Sequence, residues 1–354
     1  MLDELARTLA EAGKTSDVLE TPDGSRLFVL PYGARVLGLF AAEDDESFYW
    51  VNPALQEAET ARTLFASGGW HNTGGDRTWL APELDTFYPD AKLDRYVQPR
   101  ALDMSDYAVE RLAGGMALSR RMTLHLARPD RDVDLRLIKW LGPAANPLRL
   151  EREMAGVLPG VRYAGYTQRT SLELVGRSAA GAIALGIWNL IQLPPGGELL
   201  VPTYRRAGPR HFFGNVPEKH LLIEDRLLRL AVDFPHSHKI GLRAAIVCGR
   251  AGYAYAQGAR WSLVIRNFFV NPSGEYVDVP KPDPADLGYA FQACRVDEAD
   301  LGSFFELEYH APALGAPPDP GRSEDVSQVW AFRGTREAID AISHALLGAR
   351  MASV

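Results

Sequence analysis

The segment GSFFELEYHAP, residues 302–312, places two carboxylates and an imidazole at alternating positions. In a strand, successive side chains point to opposite faces, so Glu306, Glu308 and His310 share one face and the apolar residues between them share the other. Two carboxylates this close repel each other, which raises the pKa of one and leaves the other ionised. General acid–base catalysis needs such a pair. The alternative is a solvated outer face, since charged residues are mostly exposed.

The stretch SGGWHNTGGDRTWLAPE, residues 67–83, combines turn-forming and hydrogen-bonding residues. Its two glycine pairs predict tight turns with positive φ. No G-K-[S/T] follows them and no G-x-G-x-x-G is present, so neither a P-loop nor a dinucleotide-binding turn is indicated. We predict that the other residues contact a sugar, the aromatic ones by stacking and the polar ones through hydroxyl groups: Trp70, Trp79, His71, Asn72, Asp76 and Arg77. The alternative is a structural loop in which Arg77 pairs with Asp76 or Glu83 and the tryptophans lie in the core.

Three further stretches carry polar side chains among apolar ones. GIWNLIQLP places Gln192 in an apolar strand, where a buried amide must find a ligand or a neighbouring loop as its partner. RHFFGNVPEKH offers His211 as a general acid. FPHSHKIGL contains Lys239, either a ligand contact or a surface charge, and a His-x-His pair. No third ligand at a telling spacing accompanies that pair, so we predict no metal site.

The composition limits the classes of partner. The chain has 354 residues, of which 46% are hydrophobic and 23% charged, so it can bury a large core. Its net charge of -7 argues against a nucleic-acid surface, which needs clustered lysine and arginine. No apolar run reaches the roughly 20 residues of a membrane span, and the acidic N-terminus lacks the apolar stretch of a secretory signal. We therefore expect a cytoplasmic protein that binds neither nucleic acid nor membrane, with Cys248 and Cys294 as buried free thiols.

The elements that must position these residues are mostly strands. Leucines at helical spacing occur near the N-terminus, and Thr335 and Gly348 delimit a helix near the C-terminus. Between them, many segments rich in β-branched and aromatic residues alternate with Gly, Pro, Asn and Asp, which predicts strands without intervening helices. The sequence therefore predicts an all-β protein of stacked antiparallel sheets. We expect a helical extension over residues 1–20, the β domain over 21–334, and a C-terminal helix over 335–354 packed on the same domain.

Three motifs, in this order, resemble the galactose mutarotase-like (aldose 1-epimerase) superfamily. They are the glycine-rich stretch with its Trp strand, GGWHNTGGDRTWLAPE; the late strand with a Leu-Glu pair, FFELEYHAP; and the Pro-Gly loop before a last Trp strand, DPGRSEDVSQVWAF. The similarity runs from about Thr21 to Phe332 and looks closest to the uncharacterised bacterial branches of the superfamily. It implies a large antiparallel β-supersandwich.

The resemblance also implies roles for individual residues. The catalytic base of the superfamily falls on Glu308, with Glu306 as its neighbour in the cleft. The first sugar-binding histidine corresponds loosely to His71. Mutarotases carry a histidine where this chain has GIWNLIQLP, so the general acid would be His211 or His71.

The function expected from these residues is an aldose 1-epimerase-like reaction on a free sugar, without a cofactor. Glu308 would take the proton of the anomeric hydroxyl while a histidine protonates the ring oxygen. Two alternatives stay open: a non-catalytic sugar-binding protein, and a glycoside hydrolase or lyase that uses Glu306 and Glu308. The partner is a small sugar or sugar derivative in each case, and the oligomeric state is left open.

Overall fold

The computed structural model describes residues 2–44, 46–175, 183–283, 285–314 and 321–352. Both terminal helices predicted from the sequence are present. Helix α1 (Leu2–Glu11) is amphipathic, and α5 (Arg336–Leu347) begins at Thr335, whose side chain accepts a hydrogen bond from the Ala338 amide. Gly348 ends α5 with a φ of 66°, the left-handed conformation that glycine adopts at no steric cost.

Three more helices lie in segments where the sequence indicates none. They are α2 (Ala58–Ala66) and the one-turn helices α3 (Glu83–Thr86) and α4 (Arg100–Asp103). The segment SFYWVNP, which has the composition of a strand, forms only an isolated bridge between Val51 and Gly74. Of the described helices, α5 is the longest at 12 residues, and none is long and apolar enough to cross a membrane.

The first of two sheets has nine strands, each antiparallel to its neighbours. In their order across the sheet these are β1 (Asp17–Glu20), β2 (Arg26–Leu30), β3 (Arg35–Phe40), β4 (Asp76–Ala81), β9 (Gly186–Leu193), β18 (Gly302–His310), β17 (Phe291–Glu298), β14 (His238–Leu242) and β11 (Arg210–Phe213). The segment 1–20, predicted as a helical extension, thus holds β1 as well as α1. The central order β4-β9-β18-β17-β14 brings distant parts of the sequence side by side.

The second sheet has ten antiparallel strands. In their order these are β12 (Leu221–Ile223), β13 (Leu227–Ala231), β10 (Glu198–Pro202), β15 (Arg250–Gln257), β16 (Arg260–Phe268), β19 (Arg322–Gly334), β8 (Arg162–Leu174), β7 (Arg131–Pro143), β6 (Gly115–Leu126) and β5 (Ala108–Leu112). Two large antiparallel sheets packed together confirm the predicted all-β sandwich. Helix α5 packs its buried Ile339 and Ile342 against the side of this sheet that carries Leu263 and Phe332.

The main hydrophobic core lies between the sheets, and strand alternation decides which residues enter it. On β18, Phe305, Leu307 and Tyr309 are fully buried in this core. Glu306 and Glu308 lie on the opposite, outer face of the nine-stranded sheet, as their spacing predicts. Of the two cysteines, Cys294 is buried as expected, whereas Cys248 is exposed.

Candidate functional site

A cleft of about 290 Å³ lies on the outer face of the nine-stranded sheet, over β4, β9, β18, β17 and β14. Seven aromatic residues form part of its walls: Trp70, Trp79, Trp188, Tyr88, Tyr96, Phe213 and Phe304. Trp70 stacks on Tyr96, with ring centroids 5.0 Å apart and planes 21° apart. The charged residues of the cleft therefore sit among rings, where water screens them poorly.

Glu306 is the carboxylate of β18 that lines the cleft. Its Oε1 accepts hydrogen bonds from Arg77 Nη2 at 2.8 Å and from Gln192 Nε2 at 2.9 Å. Arg77 also donates from Nη1 to Asn72 Oδ1 at 2.9 Å, and its guanidinium lies 3.9 Å from the centre of the Trp79 ring. The structure thus brings together five residues that the sequence predicts as ligand contacts. These residues meet because they lie on adjacent strands of the sheet. Arg77 and Trp79 share the outer face of β4, and Gln192 of β9 lies opposite Glu306 of β18.

Glu83 is a second cleft carboxylate, which the sequence suggested only as a partner for Arg77. It is the first residue of α3, two positions after β4 ends, and it accepts a hydrogen bond from the Tyr96 hydroxyl. Its side chain lies 4.0 Å from Lys239 Nζ. Burial raises the pKa of Glu83 above its usual value, against the opposing effect of Lys239. Glu83 could have been recognised from the sequence by its position, because it directly follows a strand whose residues face the cleft.

Glu308, the predicted catalytic base, is completely buried and does not line the cleft. Its Oε2 accepts a hydrogen bond from Trp188 Nε1 at 2.7 Å and lies 3.2 Å from Lys239 Nζ. Lys239 Nζ is in turn 4.3 Å from the centre of the Trp188 ring. Burial raises the pKa of Glu308 to about 8, with Glu306 adding to the rise and Lys239 opposing it. Burial also disfavours the Lys239 ammonium, but the surrounding carboxylates dominate and raise its pKa. Lys239 and Trp188 thus separate Glu308 from the cleft.

The two histidines predicted as general acids lie outside the cleft. His71 is 3% exposed, and its Nδ1 lies 2.6 Å from the Tyr32 hydroxyl and its Nε2 3.0 Å from the Ser67 carbonyl oxygen. Because a carbonyl only accepts, Nε2 carries the proton and Nδ1 accepts from Tyr32. His211 is an exposed residue of the edge strand β11 and is not among the residues that line the cleft. Neither imidazole reaches the cleft, so the predicted convergence of His71 and His211 with Glu308 is wrong.

Asp76 is likewise misplaced by the sequence prediction. Strand alternation turns it to the inner face of β4, opposite to its neighbour Arg77. There it is fully buried and accepts hydrogen bonds from Lys139 at 2.9 Å, from Tyr166 and from Arg266, all of the second sheet. It therefore joins the two sheets and cannot contact a ligand in the cleft.

One group at the floor of the cleft has the atoms of a metal site. The thiol of Cys294 and carboxylate oxygens of Glu306 and Glu308 lie within 4.8 Å of one another. Two features make this a poor site. The Lys239 ammonium already lies against Glu308, and burial raises the pKa of the Cys294 thiol well above its usual value, whereas a metal needs the thiolate.

Comparisons with known proteins place the chain in a family of unknown function and show that its fold is similar to that of a solved structure. Residues 5–354 match the family described as "Family of unknown function (DUF6786)". No curated protein matches the sequence. Among solved structures, the protein Slr1438 from Synechocystis sp. PCC 6803 is similar at a TM-score of 0.51 and 12% identity, covering 91% of this chain and 96% of that one. This similarity supports the shared fold.

Two other solved structures resemble the chain less closely. The 4-alpha-glucanotransferase of Thermococcus litoralis has a TM-score of 0.38 at 11% identity, over 90% of this chain but only 37% of the transferase. The Salmonella typhimurium protein YeaD, provisionally assigned as a mutarotase, has a TM-score of 0.43 at 9% identity over 90% of each chain. The fold comparison rests on Slr1438.

Proposed function

The chain belongs to the family of unknown function DUF6786, and we propose that it is a carbohydrate-active enzyme with an aldose 1-epimerase-like reaction in the aromatic cleft. One observation carries the proposal. Two carboxylates with different surroundings, Glu306 and Glu83, line one cleft together with several aromatic rings, and a third carboxylate, Glu298, is exposed to solvent. A sugar offers what such a site recognises, apolar ring faces for stacking and hydroxyl groups for charged acceptors and donors.

The two carboxylates suit opposite roles in proton transfer. Arg77 and Gln192 both donate to Oε1 of Glu306, which positions this carboxylate to take the proton of an anomeric hydroxyl. Glu83 has a raised pKa and suits donation of a proton to the ring oxygen. The ring then opens to the aldehyde, and the C1–C2 bond rotates. On reclosure Glu83 takes back the proton of the ring-forming hydroxyl and Glu306 returns its proton to the C1 oxygen, so the other anomer forms and both groups are restored. In this proposal Glu83 replaces the histidine as general acid, and Glu306 replaces Glu308 as base.

The remaining charged and aromatic groups would hold the sugar. Arg77 and Asn72 lie at one side of Glu306, while Lys239 lies between Glu83 and Glu308 at the other. Trp70, which is partly exposed, would supply the stacking surface, whereas the buried Trp79 ring is already covered by the Arg77 guanidinium. A monosaccharide is about the size that a cleft of 290 Å³ can enclose.

The proposal is tested with pure anomers of a panel of reducing sugars, by following anomer interconversion by NMR. We expect the wild-type protein to accelerate interconversion of at least one sugar. Glu306→Gln should lower the rate by about 10²–10⁴-fold, because the amide cannot accept the proton. Glu83→Gln, at a partly exposed side chain, should lower it comparably without unpairing Arg77. Glu110→Gln, on the exposed strand β5, is the matched control and should keep full activity.

The outcomes separate the alternatives. Activity that survives both Glu306→Gln and Glu83→Gln, with unchanged thermal unfolding, would rule out this acid–base pair. Glycosides and uronides belong in the same panel, since a cleaved product would assign a hydrolase or lyase instead.

A non-catalytic sugar-binding protein is the second candidate. The favouring observation is that both cations of the cleft already contact carboxyl groups, Arg77 that of Glu306 and Lys239 that of the buried Glu308. Paired groups position hydroxyls well but must break contacts to transfer protons. Binding of a sugar by calorimetry, with no conversion by NMR over hours, would assign this function.

A further inference from the structure

A second pocket, of about 550 Å³, lies behind the wall that carries Trp70 and is separate from the cleft. No residue lines both. The pocket is polar and is formed by the segment after α1, the end of α2, the 67–71 turn, α4 and β6. The residues that give it its character are Lys14, Tyr32, His71, Arg100, Asp106 and Arg120.

Within the described residues, no acidic side chain forms an ion pair with the positive charges of this pocket. Lys14 Nζ lies 3.7 Å from the centre of the Tyr32 ring and 4.9 Å from that of Phe65, contacts that leave its charge in place. Arg120 donates to two backbone carbonyls, those of Ala101 at 3.1 Å and Asp106 at 2.8 Å. A carbonyl is a neutral acceptor, so Arg120 keeps its full charge as well.

Arg100 is exposed, and its guanidinium has no hydrogen-bond or ion-pair partner in the described part of the chain. Asp106 is the one carboxylate among the described residues that line the pocket. His71 is held neutral, because burial lowers its pKa and its two ring nitrogens are engaged by Tyr32 and Ser67. The lining therefore carries a net charge of +2 in a chain whose net charge is -7.

We propose that this pocket is a binding site for a small organic dianion of the phosphate monoester class. Lys14, Arg100 and Arg120 match the charge of a phosphate group, and arginine presents the planar donor pair that phosphate oxygens accept. The pocket is larger than a phosphate ion needs. The ring of Phe65, which is only partly buried, offers an apolar surface for the organic part of the ligand.

The pocket and the cleft share two stretches of chain. In the first, Trp70 and Asn72 line the cleft and His71 between them lines the pocket. In the second, Tyr96 lines the cleft and Arg100 lines the pocket. Gln98 ties the stretches together by accepting a hydrogen bond from the His71 amide at 2.8 Å. A ligand in the pocket would thus contact residues whose immediate neighbours form the cleft wall, so the Trp70 indole is a reporter of its binding.

The experiment uses the full chain and phenyl phosphate, with inorganic phosphate as a second arm. Calorimetry at low, fixed ionic strength gives the Kd, because exposed charges are screened by salt. We expect saturable binding of phenyl phosphate. Lys14→Gln and Arg100→Gln should each weaken it by about tenfold, the loss expected for one charge-assisted hydrogen bond. Arg7→Gln, an exposed arginine on α1 outside the pocket, removes the same charge and should leave the Kd unchanged.

Labelling the tryptophan indoles with ¹⁵N locates the ligand, and Trp70→Phe assigns the Trp70 signal. Phenyl phosphate should shift the Trp70 signal and leave that of Trp261, on β16 of the other sheet, in place. Inorganic phosphate binding as tightly as phenyl phosphate would support the charge site and assign free phosphate as its ligand. Equal weakening in Arg7→Gln and Arg100→Gln, or no binding by either phosphate, would overturn the proposal. None of these readouts depends on sugar conversion, so the proposed activity can fail while this site stands.

Discussion

At the scale of single residues, the side chains that contact Glu306 and Glu308 decide which of the two carboxylates lines the cleft. Glu306 and Glu308 are two positions apart on one face of β18, yet their surroundings differ completely. Arg77 and Gln192 hold Glu306 at the cleft, whereas Trp188 and Lys239 cover Glu308. The spacing of the pair could be interpreted from the sequence, but the roles of the two carboxylates could not be assigned, because they depend on side chains from three other strands.

The raised pKa of Glu308 leads to a prediction about how the free energy of unfolding depends on pH. Its usual value is 4.5 and its value in the folded protein is about 8. Between these two values the folded state holds a proton that the unfolded chain has lost, so unfolding releases it. This contribution to the free energy of unfolding is full below pH 4.5, declines through the window and is gone above pH 8. Glu308→Gln, which is neutral at every pH, should remove it.

The measurement is urea unfolding, followed by tryptophan fluorescence, at intervals from pH 5 to about 8.5. The wild-type free energy of unfolding should fall more steeply with pH than that of Glu308→Gln. Glu110→Gln, at an exposed position, should follow the wild type. Parallel profiles for wild type and Glu308→Gln would show that Glu308 is already ionised in the folded state at pH 5.

At the scale of elements, period-two alternation was the most reliable guide. It correctly predicts that Glu306 and Glu308 share one face of β18, because a strand fixes which way each side chain points. Arg77 and Trp79 share the outer face of β4 for the same reason. Alternation also places Asp76 opposite Arg77, so the sequence contained the information that Asp76 faces away from the cleft.

Alternation gave no guidance where the chain leaves its strands. His71 lies in a turn, where tertiary contacts with Tyr32 and Gln98 set its direction. Glu83 and Tyr96 meet because α3 and the following loop fold back over β4. Lys239 reaches Glu308 only through the order of β18, β17 and β14 across the sheet. Sequence spacing cannot predict such contacts, since residues far apart in the chain supply them.

The backbone conformation of the two glycine pairs within residues 67–75 leads to a prediction about β4, the strand that carries Arg77. Gly74 and Gly75 have φ values of 100° and 77°, as the sequence predicts, whereas Gly68 and Gly69 do not adopt positive φ. A Cβ on Gly75 would lie 2.6 Å from Leu37 Cα and closer still to the Val36 carbonyl oxygen of β3. Gly75→Ala should therefore cost about 2–4 kcal/mol of the free energy of unfolding, through backbone strain and displacement of β4.

Gly68→Ala is the matched control, because its added methyl group would meet nothing within 4 Å. Its effect should stay within about 0.5 kcal/mol by urea unfolding. Equal effects of the two substitutions would show that β4 accommodates the change and that the turn does not fix the position of Arg77.

At the scale of the whole molecule, the two sheets are joined by charge as well as by apolar packing. Asp76 of β4 is fully buried against Lys139 of β7 and Arg266 of β16. Burial alone would raise the pKa of Asp76, but Arg266 and Lys139 outweigh it and lower the pKa below its usual value. The outward neighbour of Asp76 is Arg77, which holds Glu306 in the cleft. The contact between the sheets therefore fixes the strand from which the cleft is built.

Asp76→Asn should be strongly destabilising, because it leaves two buried cations without their counter-charge. Breaking a buried ion pair from one side costs about 3–5 kcal/mol, and urea unfolding measures this directly. Asp134→Asn, at an exposed position of β7, is the control and should change the free energy of unfolding by less than about 0.5 kcal/mol. Adding Lys139→Met to Asp76→Asn should recover part of the loss, since one unpaired cation is then removed. A loss below about 1 kcal/mol for Asp76→Asn, or simple additivity in the double variant, would show that apolar packing alone holds the sheets together.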